Sequence, residues 1–345
     1  MDDAVALILY TVASSIATPL IGGDSLSFGI QLLNIAGTGP IFGALMGAVF
    51  GPRVFLWIVF GSILGGAVHD YMVGMISLRH NGASIAELSG IYLGKAIKLI
   101  MRIFSCILLI FVGTVFIVSP ASLMASLTPG WMNKYFWLVI IILYYIFATI
   151  LPIDKLISRI YPIFGVILIV MAISIIGGII FGGYKIPELW SGVKRPDNLP
   201  TWPFMFITVA CGAISGFHAT QSPMISKCIK NEKDGRVVFY GAMISEAVIA
   251  LVWAAAGVAF YGTTQLLNQK LIEFGQSSVV YEISKGLLGS FGGVLAIIGV
   301  VICPITSGDT AFRSARLIIA GSTIKFNIQF LSKKRPTNVG HFLIT

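Results

Sequence analysis

The stretch NIAGTGPIFGALMGAVFGP, residues 34–52, is apolar and long enough to be a membrane helix, yet Gly37, Thr38, Gly39 and Pro40 interrupt it near its start. Pro40 lacks an N–H and presets a helical φ, which suits the first position of a helix. The spacing therefore predicts a helix beginning at about Pro40, with Thr38 or Gly39 as its cap. Ahead of it, Gly37 and Gly39 permit backbone angles that other residues avoid. Irregular backbone at membrane depth is tolerated only where it is buried in protein or lines a cavity. The N–H groups that follow Pro40 then form the positive end of a helix dipole, which attracts anions. A tight turn at the membrane surface is the alternative, because residues 24–34 can belong to the span or to a loop.

The rest of the chain is of the same kind. Hydrophobic residues make up 57% of the 345 and charged residues 11%, where a soluble domain is about a quarter charged. Mean hydropathy is +0.93. Apolar runs fall at about 4–21, 35–51, 53–77, 99–127, 135–151, 160–182, 201–219, 237–261 and 286–309. Each is long enough to cross the hydrocarbon layer as a helix, and the short alternating segments of an outer-membrane barrel are missing. This is the pattern of an all-α polytopic membrane protein. The start MDDAVALILY is acidic where a cleavable signal would be basic. The net charge of +9 sits in short connections, where it sets orientation, so nucleic acid is not an expected partner. Cys106, Cys211, Cys228 and Cys303 show no metal-ligand spacing and read as packing residues. No nucleotide, metalloprotease or hydrolase motif appears in a suitable context, so neither an enzyme nor a cofactor or metal is expected.

If the loop after residue 77 is cytoplasmic, inside segments hold 16 of the 23 basic residues and outside segments 7. That asymmetry favours this orientation. The interrupted span 35–51 then runs outward. Five spans later, 201–219 runs inward and contains CGAISGFHATQSP, broken by Gly212, Ser215 and Gly216 and closed by Gln221, Ser222 and Pro223. Two broken spans, five apart and opposed in direction, fit a LeuT-type five-plus-five inverted repeat with a binding site between them. Close helix packing by small residues is the plainer explanation of each span alone.

Ionisable residues inside spans are costly and point to function. Glu246 lies about ten residues into its span, near the bilayer midplane at ~1.5 Å per residue. His69 and Asp70 in GGAVHDYMVG lie about two turns from the inner end of theirs, His218 closes the second broken span, and Asp309 in TSGDTAFRSAR lies at an inner end. Each is a candidate for a proton or ion relay, and each can instead be a satisfied structural group, Asp309 by pairing with Arg313 or Arg316.

NIAGTGPIFGALMGAVFGP, GGAVHDYMVGMISLRHNGASIAEL, ACGAISGFHATQSPMISKCIKNEKDGRVVFYGAMISEAVIALVWA and TSGDTAFRSARL together resemble the carbon starvation protein A family of bacterial inner-membrane transporters. The resemblance covers about residues 30–320. It implies a LeuT-type fold and secondary active uptake, and the expected function is a proton- or cation-coupled symporter of a small peptide, amino acid or monocarboxylate across the lipid bilayer. The two broken spans place the expected substrate contacts at Gly37, Thr38, Gly39, Pro40, Gly212, Ser215, Gly216, Gln221 and Ser222. The domain organisation expected is a divergent segment with one apolar span at 1–34, the transporter-like domain at 35–320, and a divergent, apparently truncated cytoplasmic tail at 321–345. A repeat counted from 35–51 needs two more spans beyond 309. A channel, or a non-transporting scaffold or starvation sensor, is the rival function.

Overall fold

The computed structural model describes residues 25–150, 154–190, 195–210, 214–229 and 231–333, and the apolar run expected at 4–21 lies outside them. Every regular element among the described residues is a helix. The chain enters on α1 (Ser25–Ile35), separated by residues 36–38 from α2 (Gly39–Ala48), and the two halves are bent by 50°. α3 (Val54–Arg79), the short α4 (Ile85–Leu93), α5 (Lys95–Leu127), α6 (Lys134–Ile150) and α7 (Asp154–Phe181) follow. α8 (Thr201–Thr208) and α9 (His218–Ser226), which flank the second break expected from the sequence, lead to α10 (Glu232–Phe260). α11 (Thr264–Ile297) passes through a π-helical turn into α12 (Cys303–Lys333).

Four continuous helical stretches among the described residues are long and apolar enough to cross a membrane, and the bent pair α1–α2 makes a fifth. They divide by environment. In α10, 89% of the apolar window is buried inside the protein, whereas in α5 the share is 22%. A helix apolar on every side is surrounded by others, and α10 is that central helix: residues 245–259 are all buried. Its small residues let neighbours approach closely, as small residues do between membrane helices. A Cβ placed on Gly257 would lie 2.8 Å from that of Ala48, so α2 packs directly on α10. α5 instead turns Ile103, Phe104, Ile107, Ile110 and Phe111 outward, the surface that lipid covers.

Three boundaries differ from those the sequence suggests. The first broken span begins at Ser25, not at 35. Its polar residues Ser27, Gln31 and Asn34 are buried against protein and never meet lipid. The second broken span resumes as helix at His218 and continues through Gln221, Ser222 and Pro223, which therefore lie inside the half-helix and do not close it. The last span expected, 286–309, belongs to helical backbone running from Thr264 to Arg316, which Gly275 and Gly289 interrupt at φ +76° and +64°. Only glycine adopts that conformation cheaply, so these positions divide a stretch too long for one crossing. Of the cysteines, Cys303 is buried, but Cys228 is exposed and is not a packing residue.

Candidate functional site

The first break is built from backbone and small side chains. The carbonyls that end α1 are taken up locally: Leu32 accepts from Ala36 N–H at 2.7 Å, Leu33 from the Ser307 hydroxyl at 3.0 Å, and Ile35 from Gly37 N–H at 2.9 Å. These are the groups a helix end leaves without intrahelical partners. A Cβ on Gly37 would lie 2.8 Å from the Phe116 ring, so only glycine lets α5 close on the break here. Helix resumes at Gly39 with Pro40 in the first turn, where the sequence places it, and Phe42 N–H bonds the Thr38 carbonyl at 2.8 Å. Thr38 occupies the cap position but its side chain caps nothing: its φ of −78° and ψ of −11° are already helical, whereas a capping hydroxyl needs extended backbone.

The second break ends on His218, and there the charges gather. Asp70 on α3 accepts from two imidazoles, His69 Nδ1 at 2.9 Å and His218 Nδ1 at 3.0 Å. On the other side of the His218 ring, Nε2 lies 3.3 Å from Glu246 Oε2 on α10. Relative exposure is 0% for Asp70, 1% for His218 and 0% for Glu246. Three helices far apart in sequence thus bring two carboxylates and an imidazole together out of water. Glu246 stands near the middle of α10, as its spacing predicts. Asp70 lies nine residues from the end of α3 (79 − 70), about two and a half turns at ~3.6 residues per turn and close to what the sequence suggests.

The tautomers follow from the partners. A carboxylate only accepts, so Asp70 fixes the N–H of His218 on Nδ1. Nε2 is then left to share one proton with Glu246: either imidazolium faces carboxylate, or neutral imidazole faces carboxylic acid. Either arrangement balances the buried pair locally, which an unpaired buried charge would not. Glu246 Oε2 meets Nε2 in a geometry too loose for a formed hydrogen bond, and Oε1 has no partner among the described residues. The backbone of Ile35 also faces the His218 ring, so the cluster touches the first break as well as the second.

The remaining candidates are placed as follows. Ser222 accepts from Gln31 Nε2 at 3.2 Å, and Gln221 Nε2 donates to Thr220 and Ser314 at 2.9 and 3.4 Å. Ser215 is buried and accepts from Phe217 N–H at 3.3 Å, whereas Gly216 is exposed. Gly212 lies outside the described residues. Asp309 stays apart from the cluster, on α12, where Arg313 donates to it at 3.1 Å one turn on. Gln31 and Asn34, buried at 0% and 2% beside this site, are absent from the sequence-based candidates. Their signal is there: Ser27, Gln31 and Asn34 recur at i, i+4 and i+7, a polar stripe on a helix among apolar neighbours.

The family model for carbon starvation protein CstA matches residues 24–133 and 128–280 of this chain. An uncharacterised membrane protein of Haemophilus influenzae is 41% identical over 294 residues, covering 70% of this chain and 79% of that one. A peptide transporter CstA of Helicobacter pylori is 28% identical, covering 73% of this chain and 46% of its own length. The pyruvate/proton symporter BtsT of Escherichia coli is 28% identical, covering 65% and 40%. The chain thus spans less than half of the length of these two transporters. No solved structure matches it.

Proposed function

The chain belongs to the carbon starvation protein CstA family, and from that membership together with the buried cluster we propose that it is a secondary active transporter of the bacterial inner membrane. It imports small carboxylate-bearing nutrients, peptides or pyruvate-like monocarboxylates, with protons or other cations. The observation that carries this reading is the Asp70–His218–Glu246 cluster, buried where α3, α9 and α10 meet beside both broken spans. Intramembrane ionisable groups facing a bundle interior mark ion and proton pathways. A proton taken up by the Glu246–His218 pair from the outer side and released to the inner side changes the charge beside the breaks, and a solute bound there senses that change.

The two broken pairs support a LeuT-type inverted repeat. Counting α1–α2 as the first span, α8–α9 is the sixth after α3, α5, α6 and α7, so the two cross in opposite directions. In such a repeat the half-helix ends meet the substrate. The N–H groups after Pro40 would hold the solute carboxylate, with the α8–α9 break around Ser215 completing the pocket. Backbone donors and a helix dipole supply the positive field without a buried arginine.

The test is uptake by proteoliposomes of the purified protein, offered labelled pyruvate or a labelled dipeptide under an inward proton gradient. Accumulation above equilibrium that collapses with an uncoupler is the result expected. Flux that only equilibrates describes a channel, and no flux of any carboxylate solute describes a scaffold; either overturns the proposal.

A further inference from the structure

Beside the charged cluster, four buried oxygens lack a hydrogen-bond donor among the described residues, Gln31 Oε1, Asn34 Oδ1, Gln221 Oε1 and Glu246 Oε1, and Glu246 Oε2 faces only His218 Nε2 at 3.3 Å. All four residues are at most 2% exposed. A buried polar atom left without a partner costs about 1–3 kcal/mol, so several on adjoining helix faces call for an explanation.

Their arrangement is specific. α1 packs against both α9 and α10. Two contacts fix how α1 and α9 meet: Gln31 Nε2 donates to Ser222, and Ile35 faces His218. Positions 31 and 35 are one helical turn apart, and so are 222 and 218, so the two faces run antiparallel in matched register. By position Asn34 and Gln221 fall within that turn, one on each helix, and Glu246 lies 3.3 Å from His218 at its end. The amide donors are already engaged, Gln31 Nε2 by Ser222 and Gln221 Nε2 by Thr220 and Ser314. What is left over is acceptor capacity, and the Glu246 oxygens do not depend on how a carboxamide is turned.

We infer that Gln31, Asn34, Gln221 and Glu246 form a binding site for a single positive charge that takes only oxygen ligands, a sodium ion or the primary ammonium group of the solute. Neutral amide oxygens with one carboxylate suit a hard monovalent cation, whereas nitrogen and sulfur ligands that would favour a transition metal do not contribute. An ammonium group satisfies the same oxygens by donating three hydrogen bonds. The inference deepens the transport reading and rests on it for the use made of the cation: sodium would be a coupling ion, and an ammonium would restrict the solute to amino acids or peptides.

The experiment is equilibrium binding to the purified full chain in choline chloride, with labelled sodium in one arm and labelled ethylammonium, a primary ammonium without a carboxylate, in the other. The result expected is saturable binding of one of the two. Asn34→Leu should weaken it at least tenfold, and Asn34→Asp, which keeps the size and adds an anionic oxygen, should tighten it at least threefold. The second variant carries the test if the first fails to fold. Sodium binding with that pattern identifies a coupling ion, and ethylammonium binding with it identifies the solute's ammonium; both support the site. Binding of neither probe, or equal affinity in wild type and Asn34→Asp, overturns it. Proton-driven accumulation that persists without cation binding removes this site alone, whereas cation binding without accumulation of any solute removes the transport reading alone.

Discussion

The first break, residues 36–38 between α1 and α2, carries no ionisable side chain; its loose carbonyls are met by neighbouring N–H groups and the Ser307 hydroxyl, and its shape by Gly37 against Phe116. The second, between α8 and α9, delivers His218 to Asp70 and Glu246. One break is held by backbone and close packing, the other by buried charge. Substitutions in the two should therefore fail in different ways, and that difference can be measured.

The largest loss belongs to the second break. Asp70 holds two imidazoles, so Asp70→Leu leaves His218 without its fixed tautomer and Glu246 facing an unanchored ring. Removing one partner of a buried charged set costs about 3–5 kcal/mol. Thermal unfolding in detergent should register that drop, and Glu246→Leu should lose less, because Glu246 faces one imidazole loosely at 3.3 Å where Asp70 holds two at 2.9 and 3.0 Å. Equal losses would mean that Glu246 anchors the cluster as strongly as Asp70 does.

Gly37→Val tests the first break. Its new side chain meets Phe116 where only a hydrogen fits, and overpacking of this kind costs about 1–3 kcal/mol. Combining it with Phe116→Ala should restore part of the loss, since contacting residues are not additive. If the double variant is merely the sum of the two, the close approach of α5 is not what requires glycine.

Thr38 should give the smallest effect and the sharpest contrast with the sequence reading. A true cap would make Thr38→Ala cost about 1 kcal/mol and Thr38→Ser almost nothing. The Thr38 side chain caps no helix N–H, so the two variants should agree to within about 0.5 kcal/mol. Unfolding midpoints of the pair decide between them.

How much of this was legible follows from the same contrast. Glycine and proline act on the backbone at their own positions, so GTGP announces a helix start at Pro40 to anyone reading along the chain. The place of Glu246 near the middle of α10 was legible too, because its span could be counted from Arg236. That Asp70, His218 and Glu246 meet was not, since no periodicity relates positions 70, 218 and 246 and only the packing of α3, α9 and α10 joins them. Asp309 looked equivalent by composition, but Arg313 one turn away holds it. Gln31 and Asn34 escaped notice for a different reason: starting the span at 35 turned a polar stripe on a buried helix into the end of a loop. Residues 211–213, with Gly212, lie outside the described structure, and that part of the second break stays an expectation from sequence.

The central claim is that a proton taken up and released by the Glu246–His218 pair couples the second break to solute movement. Glu246→Gln keeps the shape and removes the carboxylate from that exchange. In proteoliposomes, the variant should lose accumulation driven by a pH gradient while keeping exchange of labelled for unlabelled solute, because binding and reorientation survive without the titrating group. Full pH-driven accumulation by Glu246→Gln protein, at the wild-type rate and with the wild-type pH dependence, would contradict the account.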